Sequence, residues 1–113
     1  MDAWEVYAVK YAHNPAARRS NNFIGGDPHD APMPLDYFVW AIKSPTRTIV
    51  LDTGFDEAMG KKRSRQFVRC PSVGLKAIGV EPDKVSDVIL SHMHYDHCGN
   101  YEMFPAARYH VQD

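Results

Sequence analysis

Cysteine is scarce in this chain: Cys70 and Cys98 are the two among 113 residues. That is too few for a disulfide framework, so a reduced, cytoplasmic setting is expected. Long hydrophobic runs are missing too, and none approaches the roughly 20 residues that a membrane-spanning helix requires. The start, Met1-Asp2-Ala3-Trp4-Glu5, has neither the basic opening nor the apolar stretch of an export signal. Nor is there a surplus of one charge. Thirteen Lys and Arg stand against fourteen Asp and Glu, a net charge of −1 with His neutral. Nothing in that balance draws the chain to nucleic acid or to an anionic membrane. The one basic run, Lys61-Lys62-Arg63-Ser64-Arg65, reads as a solvated helix face.

What is present is globular: 44% hydrophobic and 24% charged residues. The length allows one domain at most, spanning 1–113, or part of one. Residues 5–12 alternate polar and apolar and predict a first strand. Residues 14–34 are rich in Pro, Gly, Asn and Asp and predict a long loop. Residues 36–42 (DYFVWAI) and 48–52 (TIVLD) predict a hairpin around the turn 43–47. Their continuous apolar character predicts strands buried on both faces beneath helices. A helix is expected over 56–67, acidic at its start and basic later. A second is expected from a Ser72 cap to Ile78, closed by Gly79. A helical turn at 81–85, a short strand at 87–90, a helical stretch from Asn100 to Pro105 and a strand at 108–111 complete an α/β order with a mixed sheet.

The chemistry lies directly after the 87–90 strand. His92, His94, Asp96 and His97 fall within six residues, and imidazole and carboxylate are ligands suited to zinc and its first-row neighbours. At a strand end, residues two apart point the same way, so His92 and His94 can share one ion. Asp96 and His97 diverge past the bend, which favours a second ion over one four-ligand site.

The run H-M-H-Y-D-H at 92–97 resembles the H-x-H-x-D-H signature of the metallo-β-lactamase superfamily. Leu51-Asp52-Thr53-Gly54 is similar to that family's D-T-G element, and Gly99-Asn100 to the turn after its signature. The stretches at 23–42 and 87–105 resemble, more narrowly, N-acyl-homoserine lactonase-like members. The resemblance implies the N-terminal half of an αβ/βα sandwich and two divalent metal ions, zinc foremost. It implies His92 and His94 on the first ion and Asp96 and His97 on the second. Asp96 would also pass a proton to the leaving group, and Asp52 would hold the ligand loop from behind. The implied reaction is lactone ring opening by a metal-activated hydroxide, as in quorum quenching. The implied partner is a small acyl lactone, with a homodimer possible. Alternatives are another hydrolase of the same fold, acting on a thioester, phosphodiester or β-lactam, and a non-catalytic remnant.

The family pattern also asks for a later His, a bridging Asp and a last His, and His110 falls too soon to be one of them. The expectation is therefore a partial domain with exposed apolar sheet, a tendency to self-associate and weakened metal binding. Among other residues, Cys98 reads as packing, His110 as structural, and His29 as a solvated or turn-stabilising residue that could also line a substrate entrance. Phe23, Met33 and Tyr37 read as core or loop anchors that could also meet an acyl chain. Tyr95 takes no role.

Overall fold

The computed structural model describes residues 3–25 and 29–112. Among the described residues, six strands make one mixed sheet in the order β4-β1-β2-β3-β5-β6. β1 (Glu5–Asn14), β2 (Leu35–Lys43) and β3 (Thr48–Leu51) form an antiparallel meander. β5 (Asp87–Leu90) and β6 (Arg108–Val111) then run parallel to β3. The β2–β3 turn closes where the Ser44 N–H donates to the Arg47 carbonyl at 2.8 Å and the Ser44 hydroxyl accepts from the Arg47 N–H at 3.1 Å. The α/β order with a mixed sheet is thus present.

β1 is two residues longer than its alternation predicts, and it is not regular. Its register against β2 jumps between Lys10 and Ala12, leaving Tyr11 as the extra residue. Tyr11 and Ala12 are consecutive, yet both are fully buried. Strict alternation forbids that, and a bulge permits it.

Two helical expectations need correction. The helix predicted over 56–67 is α2 (Glu57–Lys62), with Asp56 at its N-cap accepting from the Met59 N–H at 2.8 Å. The chain then leaves through Ser64, whose φ is 57°, and Gln66–Phe67 becomes β4, paired to the edge of β1. Helix-forming side chains lose there to the unpaired backbone groups of a strand edge. The next helix, α3 (Pro71–Ala77), starts one residue before the Ser72 predicted as its cap. Pro71 takes its first position, where a missing N–H costs nothing. Gly79 follows its end with φ 79°, as a helix stop requires.

The loop predicted over 14–34 contains α1 (Arg19–Asn22) and an isolated bridge from Arg18 to Pro32. Asp30 ties it together, accepting from Arg18 Nε at 2.8 Å and from the Ser20 N–H at 2.9 Å. Those bonds, the Arg18 guanidinium foremost, hold its carboxyl at about 2. Gly26, Asp27 and Pro28 of the same loop lie outside the described residues.

The sheet is buried on one face. Val9, Val39, Ala41, Val50 and Val88 point to the same side and pack with Phe55, Leu75, Val80, Val85 and Phe104. α3 lies on this side, close enough that a Cβ on Gly74 would sit 2.4 Å from Val9 Cγ1. The expectation of burial on both faces fails for the other side. Phe38, Trp40, Ile42, Ile49, Leu51 and Ile89 are half-buried there, and Val6 is exposed. An apolar run shows that a strand can be buried, not whether a second layer lies over it.

Candidate metal centre

β3 and β5 are parallel and end together, so the segments that follow them meet at one rim of the sheet. This is the rim where parallel α/β sheets place their sites. The Asp52 N–H extends the ladder by donating to the Ile89 carbonyl at 2.8 Å. Asp52 has φ 63°, a left-handed conformation that costs a non-glycine residue roughly 1 kcal/mol or more. The surrounding bonds offset that cost. Its buried carboxylate accepts from the Ser91 N–H at 2.8 Å, the Ser91 hydroxyl at 2.9 Å and His97 Nδ1 at 2.7 Å.

A carboxylate only accepts, so His97 carries its proton on Nδ1 and presents Nε2 as a lone pair. Nε2 lies 3.4 Å from Asp96 Oδ2. The His92 ring is 3.9 Å, centre to centre, from that of His97 and 4.4 Å from that of His94. Ligand atoms of His92, Asp96 and His97 all lie within 4.8 Å of one another. The spacing argument paired His92 with His94 and Asp96 with His97. In the folded chain His92 lies between His94 and His97, and His94 stands outside the three-residue group. α4 (Tyr95–Cys98) is the reason, because its single turn brings residue 97 back toward residue 92. Two imidazoles and a carboxylate converging this way fit a divalent ion of the zinc type.

Residues without metal-ligand character hold the ligand turn. The Thr53 N–H and hydroxyl both donate to the His97 carbonyl, at 2.7 and 3.0 Å. Asn100 answers with its N–H to Thr53 Oγ1 at 3.1 Å and its side-chain amide to the Thr53 carbonyl at 2.9 Å. The Tyr11 hydroxyl donates to the Asp96 carbonyl at 3.1 Å, and burial pushes that phenol upward, keeping it a donor. Gly54 has φ 74° and would place a Cβ 2.8 Å from Tyr11 Cζ; Gly99 would place one 2.6 Å from the Gly54 carbonyl. Glycine is required at both positions by close approach. The D-T-G and G-N resemblances point to four of these residues, Thr53, Gly54, Gly99 and Asn100. Tyr11 carries no sequence signal at all, because a bulge puts it there.

The remaining candidates fall elsewhere. His110 bonds to Asp87 at 3.0 Å on the open sheet face, away from the cluster. His29 and Phe23 are exposed on the 14–34 loop, and Met33 is half-buried with its N–H on the Ala17 carbonyl. Tyr37 joins Tyr11 and Phe55 in an aromatic cluster under the ligand turn, its phenol pushed upward chiefly by burial. Cys98 Sγ reaches the His94 carbonyl at 3.2 Å, and both cysteines are free. Tyr95, which the signature leaves without a role, stacks on Phe55 at 5.6 Å.

The profile of the metallo-beta-lactamase superfamily matches residues 33–112, well over half of the chain. The chain belongs to the metallo-β-lactamase superfamily. Members of this superfamily are hydrolases, and the family implies a divalent metal at the cluster just described. N-acyl homoserine lactonase AiiB from Agrobacterium fabrum is 32% identical over an 82-residue alignment that covers 61% of this chain and 30% of that protein. Its namesake from Rhizobium rhizogenes matches to the same extent. Among solved structures, the hydrolase AbOPH of the beta lactamase superfamily superposes with a TM-score of 0.66 at 18% identity, over 94% of this chain and 40% of that one. A quorum-quenching N-acyl homoserine lactone hydrolase superposes at 0.58 and 26% identity, over 92% of this chain and 45% of that one. This metallo-β-lactamase chain therefore spans under half the length of each of these relatives.

Proposed function

We propose that the chain carries the first metal-ligand segment of a lactone hydrolase acting on N-acyl-homoserine lactones. The observation that carries the reading is the convergence of His92, Asp96 and His97, with Asp52 fixing the His97 tautomer. The lactonase relatives favour the substrate class. In this reading His92 and His94 hold one divalent ion and Asp96 and His97 a second, zinc in each case. Bound divalent ions supply Lewis acidity, which polarises a carbonyl and makes water acidic enough to attack near neutral pH. Asp52 keeps Nε2 of His97 directed at the metal side. Thr53, Asn100 and Tyr11 hold the turn so that its ligands need little reorganisation. The Asp96 carboxylate, beside His92 and His97, would take the proton that the attacking water gives up and pass it to the alkoxide released when the ring opens. No thiol is needed for this step, and the setting we propose is cytoplasmic.

The test is a substrate panel with the zinc-loaded protein: acyl-homoserine lactones, glutathione thioesters, phosphodiesters and β-lactams. Preferred turnover of the lactones is expected. Preference for another class would replace the lactone reading, and no turnover under excess zinc, manganese or cobalt would reduce the chain to a metal-binding remnant. Zinc titration in the same experiment counts ions per chain.

A further inference from the structure

The ligand turn is weakly secured at its N-terminal end. α4 is a single turn of four residues, and His94 at its N-cap makes no side-chain capping bond. So short a helix does not hold itself, because nucleation fixes several residues for one hydrogen bond. The bonds inside it run from the His97 and Cys98 N–H groups to the His94 carbonyl, both at 3.0 Å. Thr53 grips the turn at the His97 carbonyl and Tyr11 grips it at the Asp96 carbonyl. Neither reaches the step from His94 to Asp96, and the residue in that step is Tyr95.

Tyr95 is held both on its ring and at its hydroxyl. The Phe55 ring stacks on it, with 5.6 Å between centres and 13° between planes. The Arg63 guanidinium lies 3.7 Å from the centre of the same ring, where the ring quadrupole attracts a cation. At the tip, Arg65 Nε donates to the Tyr95 hydroxyl at 3.3 Å, and the Tyr37 hydroxyl bonds to it as well. The Tyr95 bond, foremost among the contacts of Arg65, favours its charged form. Arg65 is fixed in turn, its Nη1 on the Arg63 carbonyl at 2.9 Å and its N–H on the Gly60 carbonyl at 2.8 Å. The basic run was expected as a solvated helix face, and Arg63 is exposed accordingly. α2 stops at Lys62, however, Ser64 takes φ 57°, and Arg65 is half-buried against the turn.

We propose that Tyr95 is a positioning residue of the metal centre, clamped by Phe55, Arg63 and Arg65 so that His94 and Asp96 are set before an ion binds. It touches no reacting atom. The proposal rests on the metal-centre part of the functional reading and is indifferent to the substrate. A one-turn helix with donors on both sides of Tyr95 would otherwise become ordered only on binding, and the entropy lost then would weaken the affinity. The clamp orders the turn in advance.

The test starts from amide hydrogen exchange of the metal-free, 15N-labelled protein. In Tyr95→Leu the His97 and Cys98 amides should lose protection while those of β2 and β3 keep theirs. Equal loss throughout would make Tyr95 an ordinary stabilising residue and overturn the positioning role, as would unchanged protection of the turn. Competition with a chromophoric chelator supplies a second readout, in which Tyr95→Leu should bind zinc about tenfold more weakly. Tyr95→Phe, which keeps the ring contacts and loses the hydroxyl bonds, should weaken it less. Arg63→Gln removes only an exposed cation from the ring; it should also weaken zinc binding by less, and it gives the same comparison should Tyr95→Leu not fold. The visible spectrum of cobalt-loaded Tyr95→Leu should shift, since every ligand is retained and only its placement changes. Zinc affinity in Tyr95→Leu equal to that of the unaltered chain would overturn the proposal. No zinc binding by the unaltered chain would overturn the metal reading instead, and the exchange comparison, which needs no metal, keeps the two failures apart.

Discussion

The two faces of the sheet are built from similar residues and end in different states. On the helix side, Val9, Val39, Val50 and Val88 are at most 7% exposed, beneath Leu75, Phe55 and Phe104. On the opposite side, Phe38, Trp40, Ile49 and Ile89 remain half-buried between two ionic corners. Lys10 and His13 meet Asp36 at one corner, and Arg47 and His110 meet Asp87 at the other. The metal ligands, Tyr11 and the Tyr95–Phe55 stack belong with the closed side. Rigid support for the site therefore comes from one face, while the other is an apolar band of the kind that promotes self-association.

Substitutions can break that contrast. The largest effect is expected inside the closed face: Leu75→Ala should cost about 2–5 kcal/mol in chemical denaturation, because the space left by Leu75 is lined by fixed neighbours. A loss near zero would show the closed face to be loosely packed. Next comes the link from that face to the site. Asp52→Asn lets the side chain donate toward His97 Nδ1, which favours the wrong tautomer. Zinc affinity, read by competition with a chromophoric chelator, should fall by about 10–100-fold. On the open face, Val6→Thr should change stability by less than about 0.5 kcal/mol. Trp40→Gln with Ile49→Gln should lower the apparent mass in sedimentation at high concentration; an unchanged mass would remove the open face as the self-association surface.

The smallest effect concerns the ionic corners. The His13 hydrogen bond at Asp36 and the His110 hydrogen bond at Asp87 lower both carboxyls below their ordinary range, with Lys10 and Arg47 adding to it. Each therefore contributes stability that is complete above the unfolded value, about 3.9, and is lost as pH falls through the lower folded value. The melting temperature should decline below about pH 4, and more shallowly in Asp36→Asn/Asp87→Asn. Identical slopes would assign the acid loss to other carboxylates.

Chain-local signals made much of this legible. The hairpin at β2–β3, the short strand before His92, the stop at Gly79 and the Asp56 cap of α2 each depend on a few adjacent residues. Non-local choices were not legible. Gln66–Phe67 left its predicted helix to cover the edge of β1, and Tyr11 entered the core through a bulge. The first is decided by pairing with Ala12 and His13 and the second by pairing with Tyr37 and Phe38, partners distant along the chain that no periodicity reports.

The same division runs through the metal centre. The sequence by itself determined the donor types, their crowding after β5, and membership of a hydrolase superfamily. Those follow from side-chain chemistry and from a signature six residues long. Tertiary structure alone decided which donors converge. The turn of α4 puts His97 beside His92, the meeting of the β3 and β5 ends puts Asp52 behind His97, and the early stop of α2 turns Arg65 toward Tyr95. Each is a distance across the sheet rim, set by packing rather than by spacing along the chain.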